Sequence, residues 1–267
     1  MQPIKMVAVD MDGTFLRSGR VYDKPRFRKV LRRMQAQGAR FVVASGNQYA
    51  QLHDTFAPVG DEIAYVAENG ALVAQGSDIL FAAAIPRDTA TFVLDWCDRH
   101  PEVLNIFCGL RSAYCQRGRV EQKFFDIAAI YYHKLEWADD LHMVDDQILK
   151  FALDVPADQT DRYVQMLREE LDGRLVPTSS GHGSIDLILP GCHKASGLQR
   201  LAALWGLTPE ECAAFGDGGN DVEMLRWCRH SYAMDNAPDD VKRAAAHVCP
   251  SNEEDGVLQT LDVLFPE

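Results

Sequence analysis

The sequence predicts an α/β protein: a doubly wound, Rossmann-like parallel-sheet core with a second α/β domain inserted into it. Three observations lead to this prediction. Short, continuously apolar runs in the first third of the chain are separated by segments with apolar residues at helical spacing. This is the pattern of buried parallel strands joined by helices. The same pattern returns in the last third of the chain. The section between has its own apolar positions and its own alternation of strands and helices, which is typical of a separate small domain.

The first third carries the clearest strand and helix signals. Buried strands are predicted at Met6–Val9, Phe41–Ser45 and Ile63–Ala67. Pro25 begins a helix after the first strand, because proline is favoured at the first helical position, and Gly38 is expected to end it. A short helix with Tyr49, Leu52 and Phe56 on one face follows the second strand. A hairpin-like piece, Ala71–Val73 and Ile79–Ala82, closes this part.

The remaining elements divide into an insert and a second half of the core. In the insert, strands are predicted at Leu104–Cys108 and Leu149–Val155, and helices near Asp88–Arg99, Val120–Tyr131 and Asp158–Leu171. In the last third the predicted elements are the apolar segment Ile185–Pro190, a helix at His193–Trp205, strands at Cys212–Asp217, Ser231–Met234 and His247–Cys249, and a closing helix through Val257 and Leu264. We therefore predict a discontinuous core domain over residues 1–83 and 185–267, and an inserted domain over 84–184.

Charge and cysteine content narrow the function classes. The formal net charge of the 267-residue chain is -12, so no basic surplus is present to neutralise nucleic-acid phosphates. A small phosphorylated substrate stays compatible, because a local cation can reverse the field within one pocket. The seven cysteines are odd in number and form no C-x-x-C pair, which indicates buried thiols in a reducing cytoplasm. No signal peptide or membrane span is expected, since the apolar runs are short and interrupted by charges.

Polar side chains occur where the predicted core strands end or where a following helix begins. These groups are Asp10 with Asp12, Ser45 with Gly46 and Asn47, Lys194, and Asp217 with Asn220 and Asp221. Because open parallel sheets place their ligand crevice at the carboxyl ends of the strands, the topology can bring all four groups into one cleft.

The residue types in these four groups suit phosphoryl transfer. Four carboxylates in one place are costly without a cation, and Mg²⁺ prefers carboxylate oxygens, water and phosphate. Lys194, Ser45 and Asn220 supply hydrogen-bond donors for a phosphate. One carboxylate can attack phosphorus while another passes a proton to the leaving oxygen.

Each group also has an ordinary structural explanation when taken alone. An Asp-x-Asp pair often caps a helix, a Ser-Gly pair often ends a strand, and a lysine in the first helical turn is usually solvated. The segment Gly216–Asp221, "GDGGND", could be a turn before the next helix. It is the joint occurrence of all four groups, in order and at strand ends or helix starts, that favours a function.

These residues make the sequence resemble the haloacid dehalogenase superfamily of phosphohydrolases. "DMDGT" at Asp10–Thr14 is similar to its first motif, D-x-D-G-T, and "GDGGND" to its fourth, G-D-x-x-N-D. Ser45 and Lys194 stand at the positions of the second and third motifs. The insert lies between the second and third motifs, as in Cof-type members with an α/β cap, and several segments look like bacterial sugar phosphatases of that subgroup.

The resemblance implies a role for each matching residue. Asp10 would be the nucleophile and a Mg²⁺ ligand, and Asp12 the general acid/base with its backbone carbonyl on the metal. Asp217 would bind the metal and Asp221 would assist it indirectly or through water. The phosphoryl group would be held by Ser45, the amides of Gly46 and Met11, Lys194 and Asn220. From the residues themselves, we expect Gly13 to permit a sharp turn and Thr14 to hydrogen-bond locally within that turn.

The resemblance implies a Mg²⁺-dependent phosphatase of small phosphomonoesters, most of all sugar phosphates, acting through an aspartyl-phosphate on Asp10. Two alternatives stay open: a phosphotransferase or phosphomutase that passes the phosphoryl group to a sugar, and a non-catalytic sensor of phosphorylated ligands. Small phosphorylated metabolites are the expected partners, and the oligomeric state is undetermined. Residues considered for substrate specificity are Arg111, Tyr114, His133, His182 and the turn Glu68–Gly70.

Overall fold

The structure is a computed structural model that describes residues 3–181 and 183–267, and these residues divide into two compact units. The first unit comprises the chain up to Gly46, Thr55–Leu80 and His193–Glu267. The second comprises Asn47–Asp54 and Phe81–Cys192. Within the described ranges, no helix is both long enough and apolar enough to cross a membrane.

The first unit is built on an eight-stranded sheet. Its strands are β1 (Met6–Val9), β2 (Arg40–Ala44), β3 (Ala64–Ala67), β4 (Leu72–Gln75), β5 (Asp78–Ala82), β12 (Cys212–Gly216), β13 (His230–Met234) and β14 (His247–Cys249). Their order across the sheet is β14-β13-β12-β1-β2-β3-β4-β5. Six of them, from β14 to β3 in spatial order, pair in parallel, and β3 pairs antiparallel with β4. The parallel α/β fold class predicted from the continuous apolar runs is confirmed.

Helices cover both faces of this sheet. The helices of the first unit are α1 (Lys24–Ala36), α6 (Lys194–Trp205), α7 (Val222–Trp227), α8 (Asp239–Ala244) and α9 (Gly256–Leu264). Phe27 of α1 packs edge-on against Phe41 of β2, with ring centroids 4.8 Å apart. A Cβ added at Gly197 of α6 would overlap the side chain of Val66 in β3. Val66 pairs with Ala44 and so points to the face opposite Phe41, because successive side chains of a strand alternate. The sheet is therefore doubly wound.

An aromatic cluster anchors the segment that follows β1. The ring of Phe15 lies 5.0 Å from that of Tyr22 and 5.3 Å from that of Phe27, with Phe41 and Phe56 completing the cluster. Buried aromatic pairs of this geometry add to the free energy gained by burying their area. Phe15 therefore fixes the far end of the turn that carries Asp10 and Asp12.

The second unit contains a six-stranded sheet. Its strands are β6 (Leu104–Gly109), β7 (Ala113–Gln116), β8 (Leu135–Ala138), β9 (Ile148–Asp154), β10 (Val176–Gly181) and β11 (Ser184–Ile188). Their order across the sheet is β10-β11-β9-β6-β7-β8. The helices are α2 (Tyr49–Thr55), whose last residue belongs to the first unit, α3 (Arg87–Arg99), α4 (Gln122–Ala128) and α5 (Thr160–Leu171). One apolar cluster unites α3 and α5 with Phe107 and Phe151, and a second cluster contains Ile106 and Cys108.

The segment Ile185–Ile188 differs from its sequence-based placement. It was assigned to the core domain, but as β11 it pairs antiparallel with β9 and β10 in the second sheet. A buried apolar strand looks alike in either sheet, so its local sequence does not specify the pairing. The roles of the two units as catalytic core and cap stay predictions.

Candidate active site

Asp10 lies at the carboxyl end of β1, the strand between β12 and β2. Its backbone N–H donates to the carbonyl of Phe215 at 3.0 Å, so the parallel pairing with β12 continues to the acid itself. The carbonyl of Met11 then accepts from the amides of Phe15 and Leu16, at 3.0 and 2.9 Å. The turn is therefore tight, and Asp10 is held with only 7% of its surface exposed.

Lys194 connects Asp10, which follows β1, to Asp221, which lies in the loop after β12. It is the first residue of α6, and His193 caps that helix by accepting from the amide of Ser196 at 3.2 Å. The Nζ atom of Lys194 donates to Oδ1 of Asp10 and to Oδ1 of Asp221, each at 2.6 Å. Burial acts to lower the pKa of Lys194, but the two carboxylates outweigh burial and raise it. The lysine is therefore a fixed positive charge inside the unit.

Asp221 orders the loop that follows β12. Its side chain is fully buried, and Oδ2 accepts from the backbone amides of Asp217 and Gly218, each at 2.9 Å. A Cβ added at Gly216 would collide with this carboxylate. Since Oδ1 accepts from Lys194, Asp221 fixes the position of the lysine and of the loop bearing Asp217.

Three carboxylates form one cluster with an excess of negative charge. Oxygen atoms of Asp10, Asp217 and Asp221 all lie within 4.8 Å of one another. Burial, followed by the charge of Asp221, raises the pKa of Asp10 well above its ordinary value, although Lys194 opposes this. Burial also raises the pKa of Asp217, against the hydrogen bond from Thr14. A cation bound by these oxygens would relieve both effects, so the donor set fits a hard metal ion.

Gly13 and Thr14 place the turn Asp10–Thr14 in direct contact with Asp217 of the segment Gly216–Asp221. The hydroxyl of Thr14, expected to bond within its own turn, instead donates to Oδ1 of Asp217 at 2.7 Å. Gly13 has a φ of +78°, and a Cβ there would overlap the Asp217 carboxylate. Glycine is therefore required at position 13 by its left-handed conformation and by the close approach of Asp217.

Asp12 occupies a different environment from the three clustered acids. Its side chain is 49% exposed, and Nη1 of Arg20 lies 3.5 Å from its Oδ1. The two acids of the Asp-x-Asp pair are thus separated into a buried carboxylate beside a lysine and an accessible one. This separation is compatible with different chemical roles for the two.

Ser45 and Gly46, at the end of β2, meet Asn220 through a residue of another loop. Ser45 is buried, its amide donates to the carbonyl of Val66 at 2.9 Å, and its carbonyl accepts from the amide of Asn69 at 3.1 Å. The Asn220 side-chain amide donates to Oδ1 of Asn69 at 3.3 Å. From the sequence, Asn69 was expected only as part of the turn Glu68–Gly70 considered for substrate specificity. Its position just after the third core strand is the feature of the sequence that indicates a place at this edge of the sheet.

The described residues considered for specificity in the second unit have partners within that unit. Asp146 accepts from the Arg111 amide at 3.0 Å and from the Tyr114 hydroxyl at 3.1 Å. Burial, aided by this hydrogen bond, raises the pKa of Tyr114 to about 12. Nδ1 of His133 lies 2.8 Å from Oδ2 of Asp54. His182 is outside the described residues.

Comparisons with known proteins agree with this architecture. A profile of haloacid dehalogenase-like hydrolases matches residues 7–261. A 5-amino-6-(5-phospho-D-ribitylamino)uracil phosphatase of Escherichia coli (strain K12) is 43% identical over 260 residues, covering 97% of this chain and 95% of the relative. Both ends of the chain, and the insert between them, therefore fall within the similarity.

Solved structures share the fold. A protein from Streptococcus mutans UA159 superposes with a TM-score of 0.92 at 34% identity, covering 99% of this chain and all of that one. A sugar phosphatase of subclass IIB, BT4131, superposes with a TM-score of 0.83 at 21% identity, covering 97% and 98% of the two chains. At that identity the second likeness concerns the fold alone.

Proposed function

We propose that this chain, which belongs to the haloacid dehalogenase-like hydrolase family and is a phosphoric monoester hydrolase, is Mg²⁺-dependent and acts on sugar phosphates and related polyol phosphates. The observation that carries the proposal is the cluster formed by the buried residues Asp10, Lys194 and Asp221 with the half-buried Asp217. It combines an acid at a strand end with a fixed cation and with carboxylates that favour a metal. Phosphoryl transfer through a covalent intermediate requires these groups: a nucleophile and positive charges that stabilise the transferring phosphoryl group.

Asp10 is the proposed nucleophile. One carboxylate oxygen attacks phosphorus, the ester P–O bond breaks, and Asp12 gives its proton to the leaving alkoxide, which leaves an aspartyl-phosphate. Water then attacks that phosphorus while Asp12 accepts its proton, so inorganic phosphate departs and the Asp10 carboxylate is restored. Lys194 bonds Oδ1 of Asp10 and so holds the orientation of the carboxylate before attack.

Mg²⁺ is the proposed metal because every donor in the cluster is an oxygen. Asp10, Asp217 and the backbone carbonyl of Asp12 would hold it. Asp221, whose oxygens already accept from Lys194 and two backbone amides, would act indirectly. When bound, the ion supplies positive charge to the phosphoryl oxygens.

The phosphoryl oxygens would be held by donors from several strand ends. We assign this role to Ser45, the amides of Gly46 and Met11, Lys194 and Asn220. Fixed donors of this kind stabilise the charge that spreads over the equatorial oxygens as the phosphoryl group transfers.

The substrate class is proposed from chemistry shared with the E. coli relative. The substrate in that protein's name is a phosphate ester of a ribityl chain, a polyol with the same type of leaving oxygen as a sugar phosphate. We would compare that compound with pentose and hexose phosphates by kcat/KM, because this ratio measures discrimination between competing substrates. A preference for nucleotides or phosphoamino acids over all of these would contradict the assignment.

The nucleophile is tested with p-nitrophenyl phosphate. The wild-type protein should release p-nitrophenolate with Mg²⁺ and lose this activity in EDTA, and Asp10→Asn should be inactive with Mg²⁺. Asp161→Asn, a change of the same type on the exposed face of α5, serves as the matched control. Turnover by Asp10→Asn would remove that residue from the proposed role.

The proton-transfer role of Asp12 predicts a distinct defect. With p-nitrophenyl phosphate the leaving group needs little protonation, so Asp12→Asn should release about one equivalent and then stall at the phosphoenzyme. With a sugar phosphate the same variant should fail at the first step. Labelled phosphate appearing on added free sugar, rather than as inorganic phosphate, would instead favour a phosphotransferase.

A further inference from the structure

The turn after β3, Glu68–Gly70, adopts an unusual backbone conformation beside the candidate site. Glu68, Asn69 and Gly70 have φ values of 51°, 54° and 87° in succession, and all three are buried. Non-glycine residues seldom take positive φ, and asparagine tolerates it better than most. A turn of this kind persists when its surroundings hold it.

Asn69 contacts residues from two different parts of the proposed phosphoryl site. Its amide donates to the carbonyl of Ser45 at 3.1 Å, and its Oδ1 accepts from Nδ2 of Asn220 at 3.3 Å. The side-chain amide also lies directly against Gly46, where an added Cβ would be 3.1 Å from both Nδ2 and Oδ1 of Asn69. One side chain thus lies between the end of β2 and the loop after β12.

The next residue extends these contacts to the helix that carries the buried lysine. A Cβ at Gly70 would overlap the carbonyl of His193, the residue that caps α6 and precedes Lys194. Donors for the phosphoryl oxygens were assigned to four segments of the chain. The turn Glu68–Gly70 contacts three of them: the end of β2, the start of α6 and the loop after β12. The fourth is the turn Asp10–Thr14.

We propose that Asn69 is a positioning residue for phosphoryl transfer, which sets the side chain of Asn220 and the Ser45–Gly46 peptide in the geometry that receives the phosphoryl oxygens. This inference rests on the function proposed above. Asn69 acts through Asn220 and Gly46, and its amide oxygen orients the Asn220 amide so that the second hydrogen on Nδ2 is available to a ligand. Small displacements of such donors are costly to catalysis.

The variant Asn69→Gly separates the side chain from the backbone. Glycine adopts a φ near +54° without strain, so the backbone bond to Ser45 can persist while the contacts to Asn220 and Gly46 are lost. We expect kcat/KM for p-nitrophenyl phosphate to fall roughly 10- to 100-fold. Inhibition by orthovanadate, which mimics the five-coordinate transition state, should weaken more than inhibition by inorganic phosphate.

A double-mutant cycle distinguishes positioning from a general structural effect. If Asn69 acts mainly through Asn220, Asn69→Gly should cost much less in kcat/KM in an Asn220→Ala background than in the wild type. Asp172→Gly is the matched control, because Asp172 is an exposed residue with a φ of 47° that caps α5 and belongs to the second unit. Its kinetic constants should equal those of the wild type.

The outcomes separate this inference from the proposed function. Wild-type turnover together with unchanged vanadate inhibition in Asn69→Gly would overturn the role of Asn69 and leave the phosphatase intact. Full additivity of the two substitutions would likewise overturn action through Asn220. Absence of Mg²⁺-dependent turnover in the wild type would instead overturn the proposed function, and calorimetric titration with inorganic phosphate would then still show whether Asn69→Gly weakens anion binding.

Discussion

The hydroxyl of Thr14 donates a 2.7 Å hydrogen bond to Oδ1 of Asp217, 203 positions further along the chain. This contact joins the turn after β1 to the loop after β12, and it orients a carboxylate that we assign to the metal. Loss of a hydrogen bond that orients a metal ligand typically costs about 10- to 100-fold in metal affinity or activity.

Removing this donor should weaken metal binding. Thr14→Val keeps the shape of the side chain without the hydroxyl, and we expect the Mg²⁺ concentration for half-maximal activity to rise about 10- to 100-fold. This concentration is measured by following p-nitrophenyl phosphate hydrolysis at increasing Mg²⁺. Thr14→Ser, which keeps the donor, should stay close to the wild type, and equal Mg²⁺ dependence of wild type and Thr14→Val would refute the prediction.

A comparison of Gly13 with Gly19 separates the effect of crowding by Asp217 from the effect of a left-handed backbone. Both have left-handed backbones, with φ of +78° and +81°, but a Cβ at Gly19 has no atom within 4 Å while one at Gly13 meets the Asp217 carboxylate. Gly19→Ala should cost about 1–2 kcal/mol in unfolding free energy through its conformation alone. Gly13→Ala should cost more and also lose Mg²⁺-dependent turnover, as urea unfolding and kinetic assays would show. Equal effects of the two substitutions would contradict a crowding effect at Gly13.

Lys194 should matter for both stability and rate. Lys194→Met keeps the length of the side chain but leaves Asp10 and Asp221 buried without their shared cation, so the unfolding free energy in EDTA should fall by about 3–5 kcal/mol. Loss of a donor to the phosphoryl group should lower kcat by about 10²- to 10³-fold. Added Mg²⁺ should restore part of the stability and little of the rate. A variant as stable as the wild type in EDTA would show that the lysine does not neutralise this cluster.

Asp262 of α9 makes a pH-dependent contribution to stability through its contacts with two arginines of α1. Burial acts to raise the pKa of Asp262, but hydrogen bonds from Arg26 and Arg33 outweigh it and lower that pKa below 3.8. A lowered folded-state pKa stabilises the protein above the ordinary value, and this contribution is lost as pH falls through the folded-state pKa. Asp262→Asn should therefore reduce the unfolding free energy by about 1 kcal/mol at neutral pH, since the pair is partly exposed.

The Asp262 prediction is checked by urea unfolding of both proteins as pH is lowered. The difference between wild type and Asp262→Asn should narrow below pH 3.8, the ordinary value for this carboxyl. Added salt should also narrow it, because the ion pairs are screened. If the difference in unfolding free energy between the wild type and Asp262→Asn did not change with pH, the charge of Asp262 would not be its cause, and altered packing would explain it.

Much of the fold could be predicted from the sequence because its strongest signals are local. The strands at Met6–Val9, Phe41–Ser45 and Cys212–Asp217 were predicted to within one residue at each end, since a continuous apolar run bounded by turn residues is itself the signature of a buried strand. The helix begun by Pro25 follows equally from residue-level rules.

Elements with weak local signals were missed or misplaced. Val176–Gly181 contains a proline and two serines and does not resemble a strand, yet it pairs with Ser184–Ile188 at one edge of the second sheet. Ala113–Gln116 and Leu135–Ala138 are short and only partly apolar, and they were also missed. Their conformation depends on the strands beside them, and strand pairing is not encoded in any one segment.

The sequence by itself determined the chemical groups of the candidate site and the strand ends that carry them, because residue type and local periodicity specify both. Only the tertiary structure decided that Lys194 bonds Asp10 and Asp221 at once, that Thr14 reaches Asp217, and that Asn69 lies between Gly46 and Asn220. These contacts join residues that are distant in the chain. They form because the parallel sheet brings the ends of β1, β2, β3 and β12 to one edge, where the first residue of α6 meets them. Distances of 2.6 or 2.7 Å between such side chains depend on the packing of the whole unit and follow from no local pattern.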